Sequence, residues 1–179
     1  KPGGERVNAG TACEGYLFRV RVRAMSKSMK RVRAALEAAG LEPEIKETKL
    51  ARTALDAADA IGCAVDQIAK SIIFQGQNSG DAILFLTAGG NRVDENKAAV
   101  VAGEPLDKAD AALIRAQTGF AIGGVAPVGH LNPIRAFIDP KLLGFDEIWA
   151  AAGTPHHVFR ISPAVLKRIS GSQQTEFTT

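Results

Sequence analysis

Lys70 stands directly before the apolar run Ile72-Ile73-Phe74, with Ser71 between them. A lysine at the mouth of a buried strand is either a snorkelling end residue or a cation at a pocket rim, suited to a carbonyl, a carboxylate or a phosphate. The second stretch with chemical potential is Gly123-Gly124-Val125-Ala126-Pro127-Val128-Gly129, followed by His130. Glycines let main chain approach a ligand closely, and successive N–H groups can form an anion-binding concavity. Pro127 stiffens the loop, so its donors could be held toward a developing oxyanion. The same stretch also reads as a long connection between a helix and a strand.

The familiar hydrolase and nucleotide signatures are absent. The sequence contains no G-x-S-x-G, H-E-x-x-H, C-x-x-C or Walker A pattern, and no G-x-G-x-x-G after a strand. His130, His156 and His157 are too few and too poorly spaced for a metal site. His156 and His157, if extended, point to opposite faces. Cys13 and Cys63 form neither a disulfide framework nor a metal pair. Asp139-Pro140 reads as a strand end followed by a turn.

The elements that must position Lys70 and the glycine loop alternate without an internal repeat. Ser28 is a candidate cap for a helix with Val32, Ala35, Leu36 and Ala39 on one face and Gly40 past its end. An extended piece follows at 44–48, then a helix over 54–61 capped by Thr53 and closed by Gly62. Ser71–Phe74 and Ala82–Thr87 flank the turn Asn78-Ser79-Gly80-Asp81 and predict a hairpin. Asp94 and Asp107 are candidate caps for helices over 95–102 and 108–118. Strands are expected at 134–138, 147–151 and 157–161, and Ser162-Pro163 opens a last helix. Residues 171–179 read as a frayed tail. Clustered strands without strict βαβ alternation predict an α+β domain with a mixed sheet.

The 179 residues suffice for one domain with one core, and no apolar run approaches the roughly 18 residues of a membrane span. The formal net charge of +3 resides in a leader, residues 1–24, where five basic side chains face Glu5 and Glu14. The other 155 residues balance 17 basic against 17 acidic groups, so the body has no compositional excess for tracking phosphates. Within the leader, Tyr16, Phe18, Val20 and Val22 alternate with Leu17, Arg19 and Arg21 as one strand would.

Several segments then follow one another between Met29 and Ile169. They are Ile68-Ala69-Lys70-Ser71-Ile72, Asn91-Arg92-Val93-Asp94-Glu95-Asn96-Lys97, Thr118-Gly119, the Gly123–Gly129 loop, Ala136-Phe137-Ile138-Asp139 and Ile148-Trp149-Ala150-Ala151-Ala152-Gly153. On these residues the chain resembles the YbaK/prolyl-tRNA-synthetase-associated editing domain family, free-standing aminoacyl-tRNA deacylases. The resemblance implies an α+β fold, a mixed, barrel-like sheet surrounded by helices, formed by residues 25–170. It implies hydrolysis of the ester joining a wrong amino acid to the 3′ end of a tRNA, typically tRNA-Pro, without metal or cofactor. The implied partners are the mischarged tRNA, bound by its 3′ aminoacyl-adenosine, and prolyl-tRNA synthetase as a candidate; the implied compartment is the cytoplasm.

Carried onto this sequence, the family's catalytic positions fall on Lys70, Gly123 and Gly124. Its substrate-side positions fall on Ser71, Val125, Ala126, Pro127, Gly129, His130, Asp139 and Gly153. An aminoacyl ester is already activated, so a site need only orient water, hold the substrate and stabilise the oxyanion. Members resembling Cys-tRNA(Pro) deacylase often carry a hydroxyl residue where Ala126 stands and an aromatic residue near Thr48. Their replacement here implies a small aliphatic side chain, alanine or 2-aminobutyrate, ahead of cysteine. The absence of a nucleophile motif keeps open a non-catalytic module that binds an amino acid or nucleotide.

Overall fold

The apolar run after Lys70 forms only the middle of a longer strand. In the computed structural model, which describes residues 25–49 and 51–179, β2 spans Ile68–Gly76 and pairs antiparallel with β3, Ala82–Ala88. The leader, including the strand expected at 16–22, lies outside the described residues. Every residue of β3 is buried, as its unbroken AILFLTA composition requires of a strand covered on both faces.

The described sheet is mixed and has eight strands. β1 (Glu44–Glu47), β7 (His157–Ile161), β6 (Ile148–Ala151), β2, β3, β5 (Arg135–Ile138) and β8 (Gln173–Gln174) lie in that order, while β4 (Leu106–Lys108) pairs with the far end of β2. The β2–β6, β3–β5 and β5–β8 pairs are parallel and the others antiparallel. The α+β class with a mixed sheet is therefore as expected.

Among the described residues, five α-helices pack around this sheet. α1 (Lys27–Ala38) buries Val32 and Leu36 in the main core beside Leu84, Leu86, Ile138 and Phe159. Its cap is Ser26, not Ser28. Ser26 keeps extended backbone and its Oγ accepts from the Met29 amide at 3.1 Å, whereas Ser28 already lies inside the first turn. α2 (Ala54–Ile61) has the expected ends: Thr53 and Asp56 form a reciprocal capping box, and Gly62 takes the left-handed conformation.

α3 (Glu95–Ala102) is capped by Asp94, as expected. α4 (Ala111–Thr118) starts later than expected and is capped by Asp110, because Leu106–Lys108 are drawn into pairing with Phe74–Gly76. α5 (Pro163–Ser170) places Leu166 in the main core.

The C-terminal residues correct the expected frayed tail. Gln173–Gln174 pair with Phe137–Ile138, and Phe177 is fully buried against Phe85, their ring centroids 5.0 Å apart. Phe85 also stacks on Phe137 and meets the edge of Phe74. Thr178 bridges Val93, and Lys97 Nζ donates to the Thr178 carbonyl at 2.7 Å. A polar sequence holding one large apolar side chain is thus tied down by that side chain.

Candidate active site

The two edges of β2 are unequal. β3 follows one edge from Ala69 to Gln75, while the other is divided between β6 at Ile68–Ala69 and β4 at Phe74–Gly76. Between these contacts no described strand continues the ladder. Residues 68–72 here border a pocket of about 590 Å³, within the ordinary range for small-molecule sites. A second wall comes from α2 and its approach, through Thr48, Ala51, Arg52, Thr53, Ala54, Leu55 and Ala57. A third comes from Gly123 and Val125, and a fourth from Ala151, Thr154, Pro155, His157 and Val158.

Lys70 borders this pocket half-buried, within the strand instead of ahead of it. Its Nζ donates to the main-chain oxygen of Asn91. Burial pushes the ammonium below the usual lysine range and the Arg92 guanidinium pushes the same way, while Asp139 and Asp66 oppose both. Strand alternation puts Ser71 on the opposite face, the side of Ala69 and Ile73, which pack in or against the main core. Ser71 Oγ is covered and has no hydrogen-bond partner. Lys70 and Ser71 therefore do not converge on one ligand atom, although both border the cavity.

The glycine loop reaches the pocket only in part. Gly123 adopts φ +83°, which glycine tolerates best, and lines the cavity with Val125. Gly124 is buried behind them, and a Cβ built there would stand 2.7 Å from the Thr154 carbonyl carbon. Its N–H donates to the Ala121 carbonyl at 3.0 Å. That donor is already occupied, so Gly124 shapes the loop and leaves anion contact to its neighbours.

The other expected site residues separate from the pocket. Ala126 is fully buried in the main core and does not line the pocket, so its missing hydroxyl says little about the ligand. Pro127, Gly129 and His130 border a different depression behind the loop. His130 Nε2 lies 2.7 Å from the Ala126 carbonyl, which only accepts, so Nε2 carries the proton. Burial, helped by Arg31, pushes the His130 imidazole below its usual range against that bond, keeping it a neutral brace. Gly153 is packed onto α1, where a Cβ would meet the Ser28 main chain at 2.9 Å. Asp139, 2% exposed, turns its carboxylate to the Ala88 amide, the Asn91 amide group and the Lys141 amide, not to the cavity.

Three polar residues that the sequence did not assign to the site, His157, Thr154 and Thr48, do line the pocket. His157 Nδ1 and Thr154 Oγ1 are hydrogen-bonded at 2.6 Å, and Thr48, 5% exposed, donates its amide to the His156 carbonyl at 2.8 Å. The sequence signal for His157 is a polar residue opening a strand-forming run, but only pairing with β6 and β1 decides what it faces. Among the described residues, no group of three His, Cys, Asp or Glu side chains is placed to hold a metal.

The model of the aminoacyl-tRNA editing domain family matches residues 48–169, which contain every pocket-lining residue. The chain belongs to the aminoacyl-tRNA editing domain family. This editing domain is 44% identical to a solved protein described as a proposed trans-editing enzyme for prolyl tRNA synthetase, with a TM-score of 0.81 over 87% of this chain and 99% of that one. It resembles the hypothetical protein APE2540 at 25% identity and a TM-score of 0.75, over 83% of this chain and 99% of the other. It is also 28% identical to the uncharacterized protein YwhH of Bacillus subtilis (strain 168), over 82% of this chain and 93% of YwhH. Membership supports a deacylase role for the editing domain. No helix among the described residues is long and apolar enough to cross a membrane.

Proposed function

We propose that the protein hydrolyses the ester linking a small wrong amino acid to the 3′ end of a tRNA, with tRNA-Pro as the substrate. The observation that carries this reading is the meeting of the Lys70 ammonium and the Gly123–Val125 loop on one pocket. The choice of tRNA rests on the likeness to the proposed trans-editing enzyme for prolyl tRNA synthetase. That likeness also makes prolyl-tRNA synthetase the partner to test for delivery of the substrate.

In this mechanism Lys70 supplies a fixed cation to the substrate carbonyl or to the terminal-adenosine phosphate. Amides of the glycine loop polarise the ester, and water attacks, aided by a vicinal ribose hydroxyl. The amino-acid side chain sits among Ala51, Ala54, Ala57, Val125 and Ala151, whose small size suits alanine or 2-aminobutyrate. Discrimination by one methylene is limited to about 1–3 kcal/mol.

The decisive experiment is hydrolysis of tRNA-Pro charged with Ala, Cys, Ser, Thr or 2-aminobutyrate by wild-type protein and Lys70→Ala. Loss of the small aliphatic esters with wild type, and strong slowing in the variant, is the expected result. Ligand binding without hydrolysis of any ester would make the protein a non-catalytic module instead.

A further inference from the structure

Lys70 is tied to a buried carboxylate that does not border the pocket. The link is the turn after β3. Asp139 Oδ2 accepts from the Ala88 amide at 3.1 Å and from Asn91 Nδ2 at 2.8 Å, while Oδ1 accepts from the Lys141 amide at 2.9 Å. The Asn91 amide donates to the Ala88 carbonyl at 2.9 Å, and the Gly90 amide to Asp66 Oδ1 at 2.8 Å. Lys141 closes the frame, with Nζ 2.8 Å from Asp66 Oδ2 and 3.4 Å from Asn91 Oδ1. On the far side, the Thr179 amide holds the Arg92 carbonyl at 3.1 Å. The main-chain oxygen of Asn91 projects from this frame, and Lys70 Nζ donates to it.

We infer that Asp139, acting through Asn91, is a positioning residue that fixes where the Lys70 ammonium stands in the pocket. A lysine has a flexible four-carbon stem, and an ammonium without a fixed acceptor would be spread over several rotamers. A carbonyl held by a pinned turn removes that freedom before substrate arrives, the preorganisation a site lacking a strong nucleophile depends on. Asp139 also adds negative charge beside Lys70. The charged neighbours of Lys70 are Arg92, Asp139 and Asp66; Lys141 is paired with Asp66, and Arg52 and His157 line the same pocket.

The kinetic part of the test rests on the deacylase reading; the titration part does not. Lys70 Nζ is followed by NMR on isotopically labelled lysine in wild type, Asp139→Asn and Asn91→Ala. Asp139→Asn removes the charge that favours the ammonium, so Lys70 titrates at lower pH. Asn91→Ala keeps the charge but frees the turn, so the Lys70 ammonium protons exchange faster with water. With alanyl-tRNA-Pro, both variants lose roughly ten- to a hundredfold in kcat with little change in KM. Neither lowers the residual rate further in a Lys70→Ala background.

An unchanged Lys70 titration in Asp139→Asn, or unchanged exchange in Asn91→Ala, overturns the inference. Equal rate losses with and without Lys70 overturn it as well. Should Asp139→Asn not fold, Asn91→Ala decides alone. Should wild type hydrolyse no ester, the deacylase reading falls and the two substrate-free measurements still decide the role of Asp139.

Discussion

Lys70 Nζ donates to the main-chain oxygen of Asn91, 21 residues downstream, so a cation supplied by β2 is held by the turn that follows β3. The acceptor is backbone, and it places the ammonium without neutralising its charge. Lys70→Ala should lower the single-turnover rate on alanyl-tRNA-Pro about 100- to 1,000-fold, the usual cost of losing one preorganised electrostatic contact. Because Lys70 is only half-buried, thermal unfolding should show a folded variant, and wild-type rates would remove Lys70 from the mechanism.

Gly124→Ala should act through the loop. Its Cβ would stand 2.7 Å from the carbonyl carbon of Thr154 and 2.8 Å from its Cα, and backbone cannot step aside as a side-chain tip can. Overpacking of this kind costs about 1–3 kcal/mol. The expected result is lowered stability in urea titration together with reduced hydrolysis, since a loop pushed off Thr154 moves Gly123 and Val125.

Val125 is 4% exposed and lines the pocket. Val125→Ala should raise the rate on 2-aminobutyryl-tRNA relative to alanyl-tRNA by up to about tenfold, within the range set by one methylene. A ratio equal to wild type would place the seat of the substrate side chain elsewhere.

Glu104 contributes to acid stability away from the site, beside Asp56 and Asp66, whose carboxyls are also held below the ordinary range. Its carboxylate accepts from the Ser79 and Asn78 amides at 2.9 Å each and pairs with Arg135. These contacts, the Ser79 amide first, hold it near a pKa of about 2 instead of the ordinary 4.5. A depressed folded-state value stabilises the fold above the unfolded value, and that contribution is lost as pH falls from about 4.5 toward 2. Glu104→Gln should therefore unfold more easily at neutral pH while showing a shallower loss of stability through this window, measured by urea unfolding at stepped pH.

Phe177→Ala should cost about 3–5 kcal/mol, the usual range for removing a fully buried phenylalanine. A frayed end would tolerate the change. The measurement is the urea midpoint, and a shift near zero would contradict the packing of Phe177 on Phe85.

What could be read directly from the sequence is what short-range chemistry decides. Thr53 and Gly62 delimit α2, the mostly apolar run His157–Ile161 is β7, and Ser162-Pro163 opens α5, because caps, turns and short strand-forming runs are complete within a few residues. The sequence also singled out Lys70 and the glycine loop through residue type and position, and its family resemblance agrees with the matched editing domain model.

Long-range pairing decided the rest. Asp107 and Lys108, the expected start of α4, join a strand because the end of β2 offers a free edge, and residues 173–174 become a strand because β5 offers another. The ladder of β2 opens between β6 and β4, and the pocket forms alongside that opening. The same topology turns Ala126, Pro127, Gly129 and His130 away from the pocket, puts His157 and Thr48 on the pocket wall, and turns Asp139 inward to the Asn91 turn. Sequence determined the chemical groups and the local elements that carry them. Which groups share a pocket depends on strand edges far apart in the chain, and only the folded sheet brings those edges together.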